Sequence, residues 1–285
     1  MAFDGATFLL QWAAGGLLFL WVTTRRREVS LGYGWLLRGT YALIAIGGAY
    51  VGLRVIDPVP IRDLASVGVA LAALGALAVS IVRKDAGVAG QKELVEARST
   101  RIATMTGIDR TAAAKDTEAK EFPPALDLIA PVIGAIGIIG SGVVDGSPVW
   151  LAVARLLVGA AFLGAVTDAM LLGHWYLVQP GMPRGPLLEL VYWTFAMWVP
   201  EVLLMLVPVG MVSALNGTID DGYGGLLGWF WLACAVTTGG LLVVTRLALK
   251  ERAYSAVMAA TGLLYLAILT AFGTDLVARA LLSGR

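Results

Sequence analysis

The chain has 285 residues, 58% of them hydrophobic and 14% charged, against about 45–50% and about 25% in soluble domains. Mean hydropathy is +0.80, and 21 basic against 20 acidic residues leave a formal charge of +1. This excludes a soluble enzyme, a disordered tail and a disulfide-stapled secreted module. With no basic field to attract phosphates, it also excludes nucleic-acid binding as a default. Nine tryptophans and 35 glycines suit a bundle of membrane helices, where aromatics sit at interfaces and small residues line helix contacts.

Eight stretches carry the roughly 20 apolar residues that a membrane-crossing helix needs: 6–24, 35–55, 64–82, 124–143, 149–173, 187–210, 225–248 and 254–278. Each run is continuous where a barrel strand would alternate, so the expectation is an all-α polytopic membrane bundle. The start, Met1-Ala2-Phe3-Asp4, lacks the basic region of a cleavable signal peptide, and the first apolar segment is expected to be retained. Basic residues fall in alternate loops. Arg25-Arg26-Arg27 opens the first, Lys84, Lys92, Arg98, Arg101, Arg110, Lys115 and Lys120 lie in the third, Arg184 in the fifth, and Lys250 with Arg252 in the seventh. The positive-inside rule makes those loops cytoplasmic and puts both termini outside. The organisation expected is three spans in 1–83, a cytoplasmic polar loop over 84–122, and five spans in 123–285. The loop nearly balances its own charges and reads as a solvated linker with a little helix, with docking of a soluble partner as the alternative. No convincing internal duplication is visible between the two halves.

One cysteine and one histidine narrow the chemistry further. Cys234 has no intrachain partner, which removes disulfide and dithiol chemistry. A single His cannot give two axial ligands to a haem or build a His-rich metal site.

Ionisable groups inside a span cost several kcal/mol unless paired or hydrated. Those near a helix end can snorkel, so depth discriminates. Glu201 is the leading candidate: it lies past the midplane of the sixth span, between Pro200 and Pro208, with Trp198 and Met205 on its face. A buried carboxyl there can carry protons or bind a ligand, and the plain alternative is a neutral acid bonded to a neighbouring helix. The run Asp168 to Gly181 contains Asp168, His174, Trp175 and Tyr176 near the cytoplasmic interface. His174 suits an anionic headgroup, a quinone carbonyl or proton relay, and the alternative is an interfacial anchor. Asp127, Glu189 and Arg246 fall at the same level, where a shared polar vestibule or independent snorkelling are both open. Farther out, Asp275 and Arg279 are spaced to pair, as are Arg54 and Asp57. Arg155 is the natural counter-ion for Glu201 or Asp275. Gln11, Trp12 and Trp193 complete the candidate set.

The start Gln11-Trp12-Ala13-Ala14-Gly15-Gly16-Leu17, the stretch from Arg38 through Asp57-Pro58, the eight spans and the outside termini resemble the integral anchor subunits of polysulfide- and dimethyl-sulfoxide-reductase-type complexes. The resemblance covers the first 60 or so residues plus topology. It implies no haem in this chain, a quinol site, and a soluble partner that holds the redox centres. The expectation is therefore a quinone-handling, proton-relaying subunit of a larger oxidoreductase in a bacterial plasma membrane, contacting lipid and other subunits. The alternatives are a proton-coupled transporter centred on Glu201 and Arg155, a purely structural subunit and, last, a lipid-modifying enzyme using the His174 region, which lacks a readable nucleophile or carboxylate dyad.

Overall fold

Asp4 starts the first helix by accepting from the backbone N–H of Thr7 at 2.6 Å, which satisfies one of the donors left free at a helix start. The computed structural model describes residues 4–84, 100, 121–145, 148–179, 182–251 and 253–283. The loop expected over 84–122 falls almost wholly outside them. Eight long helices follow in order: α1 (Gly5–Thr24), α2 (Leu31–Arg54), α3 (Pro60–Val82), α4 (Ile129–Asp145), α5 (Val149–Val178), α6 (Gly185–Leu206), α7 (Leu226–Lys250) and α8 (Tyr254–Ser283). A 3-10 turn, Pro124–Leu128, leads into α4, and a short helix, Gly210–Leu215, separates α6 from α7. Together with that turn for α4, all eight are long and apolar enough to cross a membrane, and no strand occurs among the described residues. The protein is an all-helical, polytopic membrane bundle. Below, the side bearing Arg25 is called inner and the side bearing Asp4 outer.

The helices form two four-membered rings. In one, α1, α2, α3 and α4 pack in sequence and α4 returns to α1; in the other, α5, α6, α7 and α8 do the same, with α8 returning to α5. The rings join where α1 and α4 pack on α5. This repeated order of packing was invisible in the sequence because the halves share arrangement without sharing residues. Exposed Leu43, Leu71, Val132, Leu203, Val236 and Leu269 turn outward from six different helices and give the bundle its lipid-facing belt.

The junction of the rings is a backbone contact. A Cβ at Gly15 would lie 1.8 Å from the carbonyl oxygen of Ala160, and one at Gly164 would lie 2.1 Å from the carbonyl carbon of Gly15. No side chain fits between α1 and α5 there, which is how small residues bring membrane helices together. Charged side chains brace the first ring at both ends. On the outer side Arg62 bonds Asp63 at 2.7 Å and Asp4 at 3.2 Å, so the expected Arg54–Asp57 pair is replaced by one centred on Arg62, whose Nη2 also reaches the Asp57 carbonyl at 3.3 Å. Nearer the inner side Arg38 donates to both oxygens of Asp127 at 2.8 and 2.6 Å.

Outside the spans, the chain turns before α7 around Asp221. Its carboxylate accepts from the backbone of Gly225 at 2.8 Å, Tyr223 at 2.9 Å and Leu227 at 2.8 Å, and Gly224 and Gly225 take the left-handed φ values of 67° and 86° that the turn requires. The Gly225 and Tyr223 N–H groups hold the Asp221 carboxyl below its ordinary pKa.

Two outcomes follow. Gly164→Val is expected to lower stability in detergent by about 1–3 kcal/mol or more, the range for overpacking, whereas Gly75→Val, with nothing within 4 Å of its Cβ, leaves the unfolding midpoint unchanged. For the Asp221 turn, a pKa lowered on folding means the stabilisation is complete above the ordinary carboxylate pKa and is lost as pH falls through the lowered value. Amide exchange at Gly225 and Leu227, compared with Asp221→Ala at each pH, should show protection at neutral pH that disappears only in that acidic window.

Candidate functional site

Glu201 lies in the last third of α6 and is fully buried. Two prolines shape its surroundings. Pro200 removes one backbone donor within α6. Pro208 has no N–H to return to the carbonyl of Leu204, four residues earlier. Arg155 of α5 supplies that donor: its Nε bonds the Leu204 carbonyl at 3.0 Å, and its Nη2 bonds the Val207 carbonyl just past the helix end at 2.5 Å. The helix stops at Leu206 and resumes as Gly210–Leu215. The expectation that Arg155 serves as an ion-pair partner thus changes in detail. It forms no ion pair with Glu201 or Asp275, because its donors are taken by the carbonyls at the freed end of α6.

Asp275 and Arg279 of α8 pair as their spacing predicted. Arg279 Nε bonds both Asp275 oxygens at 2.8 and 2.7 Å. Its Nη1 donates to Gln11 Oε1 at 2.9 Å, and Gln11 Nε2 donates to the Leu156 carbonyl at 2.5 Å. Gly159 makes room for this cluster, since a Cβ there would sit 2.2 Å from Arg279 Nη2 and 2.9 Å from Asp275 Oδ1. Four helices, α1, α5, α6 and α8, therefore contribute to one buried network of two carboxyl groups, two guanidiniums and an amide. Glu201 stands beside Asp275, Arg279 and Arg155, yet neither of its oxygens receives a hydrogen bond. Every other side chain of the network does hydrogen-bond.

The remaining candidates lie elsewhere. Asp168 is fully buried and forms a second polar point, in the inner half. Tyr41 donates to its Oδ1, Tyr33 donates to its backbone carbonyl at 3.3 Å, and Oδ2 has no partner. Trp12 on α1 donates to the neighbouring Thr167 at 3.0 Å. His174 is exposed, with its Nδ1 3.0 Å from the Tyr265 hydroxyl. Asp168 and His174 do not meet, because six residues along a helix turn the side chain by about 240°. Trp175 donates to Ser30 at 3.0 Å and Gln179 at 3.1 Å, and Tyr176 donates to the Pro183 carbonyl, so both tie α5 to neighbouring loops. Trp198 donates to the Ala235 carbonyl at 3.0 Å and packs against Gly239. Trp193 is exposed and meets Phe19 edge-on.

The inner polar residues do not share a vestibule. Asp127 pairs with Arg38, Glu189 with Arg25 and Arg26, and Arg246 bonds the Tyr192 hydroxyl at 3.0 Å. Sequence reasoning missed Arg38 and Tyr41. Arg38 is the fourth residue of the span expected at 35–55 and reads as an end residue that snorkels, whereas α2 starts at Leu31 and places it two turns in. Tyr41 carried no signal, since its role comes from the bare Gly16 beneath its ring. Among the described residues no cluster of His, Cys, Asp and Glu could hold a metal ion.

Comparison with protein-family models, with curated proteins and with solved structures gives no match to this chain.

The Arg155 arrangement has a measurable consequence. Arg155→Met leaves two part-buried carbonyls at membrane depth without donors, at about 1–3 kcal/mol each, and should lower stability by about 2–5 kcal/mol. Arg155→Lys should lose part of that, because one ammonium cannot reproduce the planar fork. Steric trapping or reversible unfolding in mixed micelles reads both.

Proposed function

We propose that the chain is an integral membrane subunit of a respiratory redox complex, in a bacterial plasma membrane, that handles quinone and passes its protons through buried carboxyl groups. The observation that carries this reading is Glu201, a buried carboxyl at membrane depth whose two oxygens lack donors while a second carboxyl, Asp275, stands beside it. A protonated Glu201 can donate to Asp275, and an ionised one is faced by Arg155 and Arg279. Both proton occupancies thus have a partner, as a relay group needs.

An apolar ring has a surface to meet nearby. Phe8, Trp12 and Phe272 form an edge-to-face and tilted cluster with centroids 5.0–6.2 Å apart. All three are half-buried and neighbour Gln11 and Asp275 in the sequence. Such a surface suits a planar ring arriving from lipid. In this reading a quinol gives its electrons to redox centres held by a soluble partner subunit. Its protons leave through Glu201 and Asp275 towards the outer side. The chain is then a quinone-handling part of a larger oxidoreductase and not a complete enzyme, which is also what the resemblance to reductase anchor subunits implies.

A second reading, a proton-coupled transporter, is favoured by the interruption of α6 between Leu206 and Gly210 and by the repeated packing order of the two rings, both features of transporter folds.

Glu201→Gln in the complex purified from native membranes should lower decylubiquinol-dependent turnover by about 100-fold, the scale of a lost proton-transfer group, with the subunits still assembled. Full turnover in that variant, or a chain that purifies with no redox partner, overturns the proposal. Solute-driven proton uptake by the chain alone in liposomes would establish the second reading.

A further inference from the structure

On the inner side α6 and the loop after α1 leave a groove of about 470 Å³ lined by Arg26, Leu188, Glu189, Tyr192, Trp193 and Ala196. Its lining is graded. Arg26 and Glu189 sit at the mouth, and Ala196, seven residues beyond Glu189, lies about 10 Å deeper by helical rise. Tyr192 and Trp193 are exposed on the lipid-facing surface, so the groove opens sideways into the bilayer.

The charge at the mouth is not closed. Glu189 is bound at 2.5 Å by Arg25, whose guanidinium also lies 5.2 Å from the Trp21 ring centroid. Arg26 reaches the same carboxylate only at 3.5 Å and keeps 59% of its side chain exposed. One carboxylate thus faces two guanidiniums. Arg246, from α7, adds a third cation: it lies over the Tyr192 ring at 5.2 Å and donates through Nε to the Tyr192 hydroxyl at 3.0 Å. That hydroxyl accepts from Arg246 and retains its own proton to donate.

We infer that this groove holds an anionic phospholipid of the inner leaflet, with its phosphate between Arg26 and Arg246, within reach of the Tyr192 hydroxyl, and one acyl chain along Trp193 and Ala196. The occupant is set by the combination of features. Unspent arginine donors at headgroup depth match a phosphodiester. The apolar lower wall opening to the bilayer matches a chain attached to it. A soluble anion would use only the mouth. This site lies in the inner half, apart from the Glu201 network, and stands independently of the quinone reading.

The test uses the full chain in phosphatidylcholine nanodiscs, titrated with tail-brominated phosphatidylglycerol or tail-brominated phosphatidylcholine. The quenching of tryptophan fluorescence that is lost in Trp193→Phe reports the groove. Half-saturation is expected at a lower fraction of phosphatidylglycerol than of phosphatidylcholine. The preference should fall about fivefold for each arginine neutralised in Arg26→Gln and Arg246→Gln, from about 1 kcal/mol per basic residue near the surface. Arg26→Lys with Arg246→Lys should retain most of it, and added salt should weaken it in the unsubstituted protein. Equal half-saturation for the two lipids overturns the proposal. So does an unchanged preference in the double glutamine variant, or its abolition by inorganic phosphate at constant ionic strength, which would identify a free-anion site. Glu201→Gln should keep the lipid preference intact, so the two proposals fail separately.

Discussion

The backbones of α1 and α5 touch at Gly15 and Gly164, and most of the interior follows from that contact. It fixes the distance at which Gln11 meets the Leu156 carbonyl and Arg279. One position along, Gly16 leaves space for the Tyr41 ring, whose hydroxyl then reaches Asp168. Without the close approach the two rings of four would each present a half-satisfied polar surface to the other. Burying such groups in lipid costs several kcal/mol each, so the glycines act through the polar contacts they permit as well as through packing.

The buried polar groups fall into separate points and not one continuous wire. The outer network contains Gln11, Arg155, Glu201, Asp275 and Arg279; the inner half holds Asp168 with Tyr33 and Tyr41; Arg38 and Asp127 close the end nearest Arg25. In the pair formed by Arg38 and Asp127, the donors and acceptors are matched bidentately, an arrangement that rigidifies the ring. Glu201 differs in that neither of its oxygens has a donor, where Asp168 keeps one of two satisfied and Asp127 both. That contrast within a single bundle is why the functional reading rests on it and not on Arg38 or Arg62.

The eight spans were legible because each is a long apolar run, and the departures have physical causes. The third helix begins at Pro60, ahead of the expected 64, because Arg62 and Asp63 looked like loop residues until they neutralised each other. The sixth ends at Leu206 and not 210 because Pro208 interrupts its bonding. At the site, depth alone singled out Glu201, and i,i+4 spacing found Asp275 with Arg279. Pro208 marks the Leu204 carbonyl as free, yet nothing in the sequence says that Arg155, 49 positions earlier, takes it. The Arg38–Asp127 pair joins positions 89 apart, and only the packed rings show it. His174 and Asp168 are close in sequence, yet helical geometry turns them to different faces.

The location of the ion pairs bears on how the chain is made. Arg38 with Asp127, and Arg62 with Asp4 and Asp63, all close within the first four spans. That ring can neutralise its charges while later segments are still on the ribosome. The second ring has no such independence, because Arg279 leans on Gln11 and Asp168 on Tyr41, both supplied by the ring before it. The amino-terminal half thus closes its own ion pairs, while Gln11 and Tyr41 keep hydrogen bonds that only the carboxy-terminal half supplies.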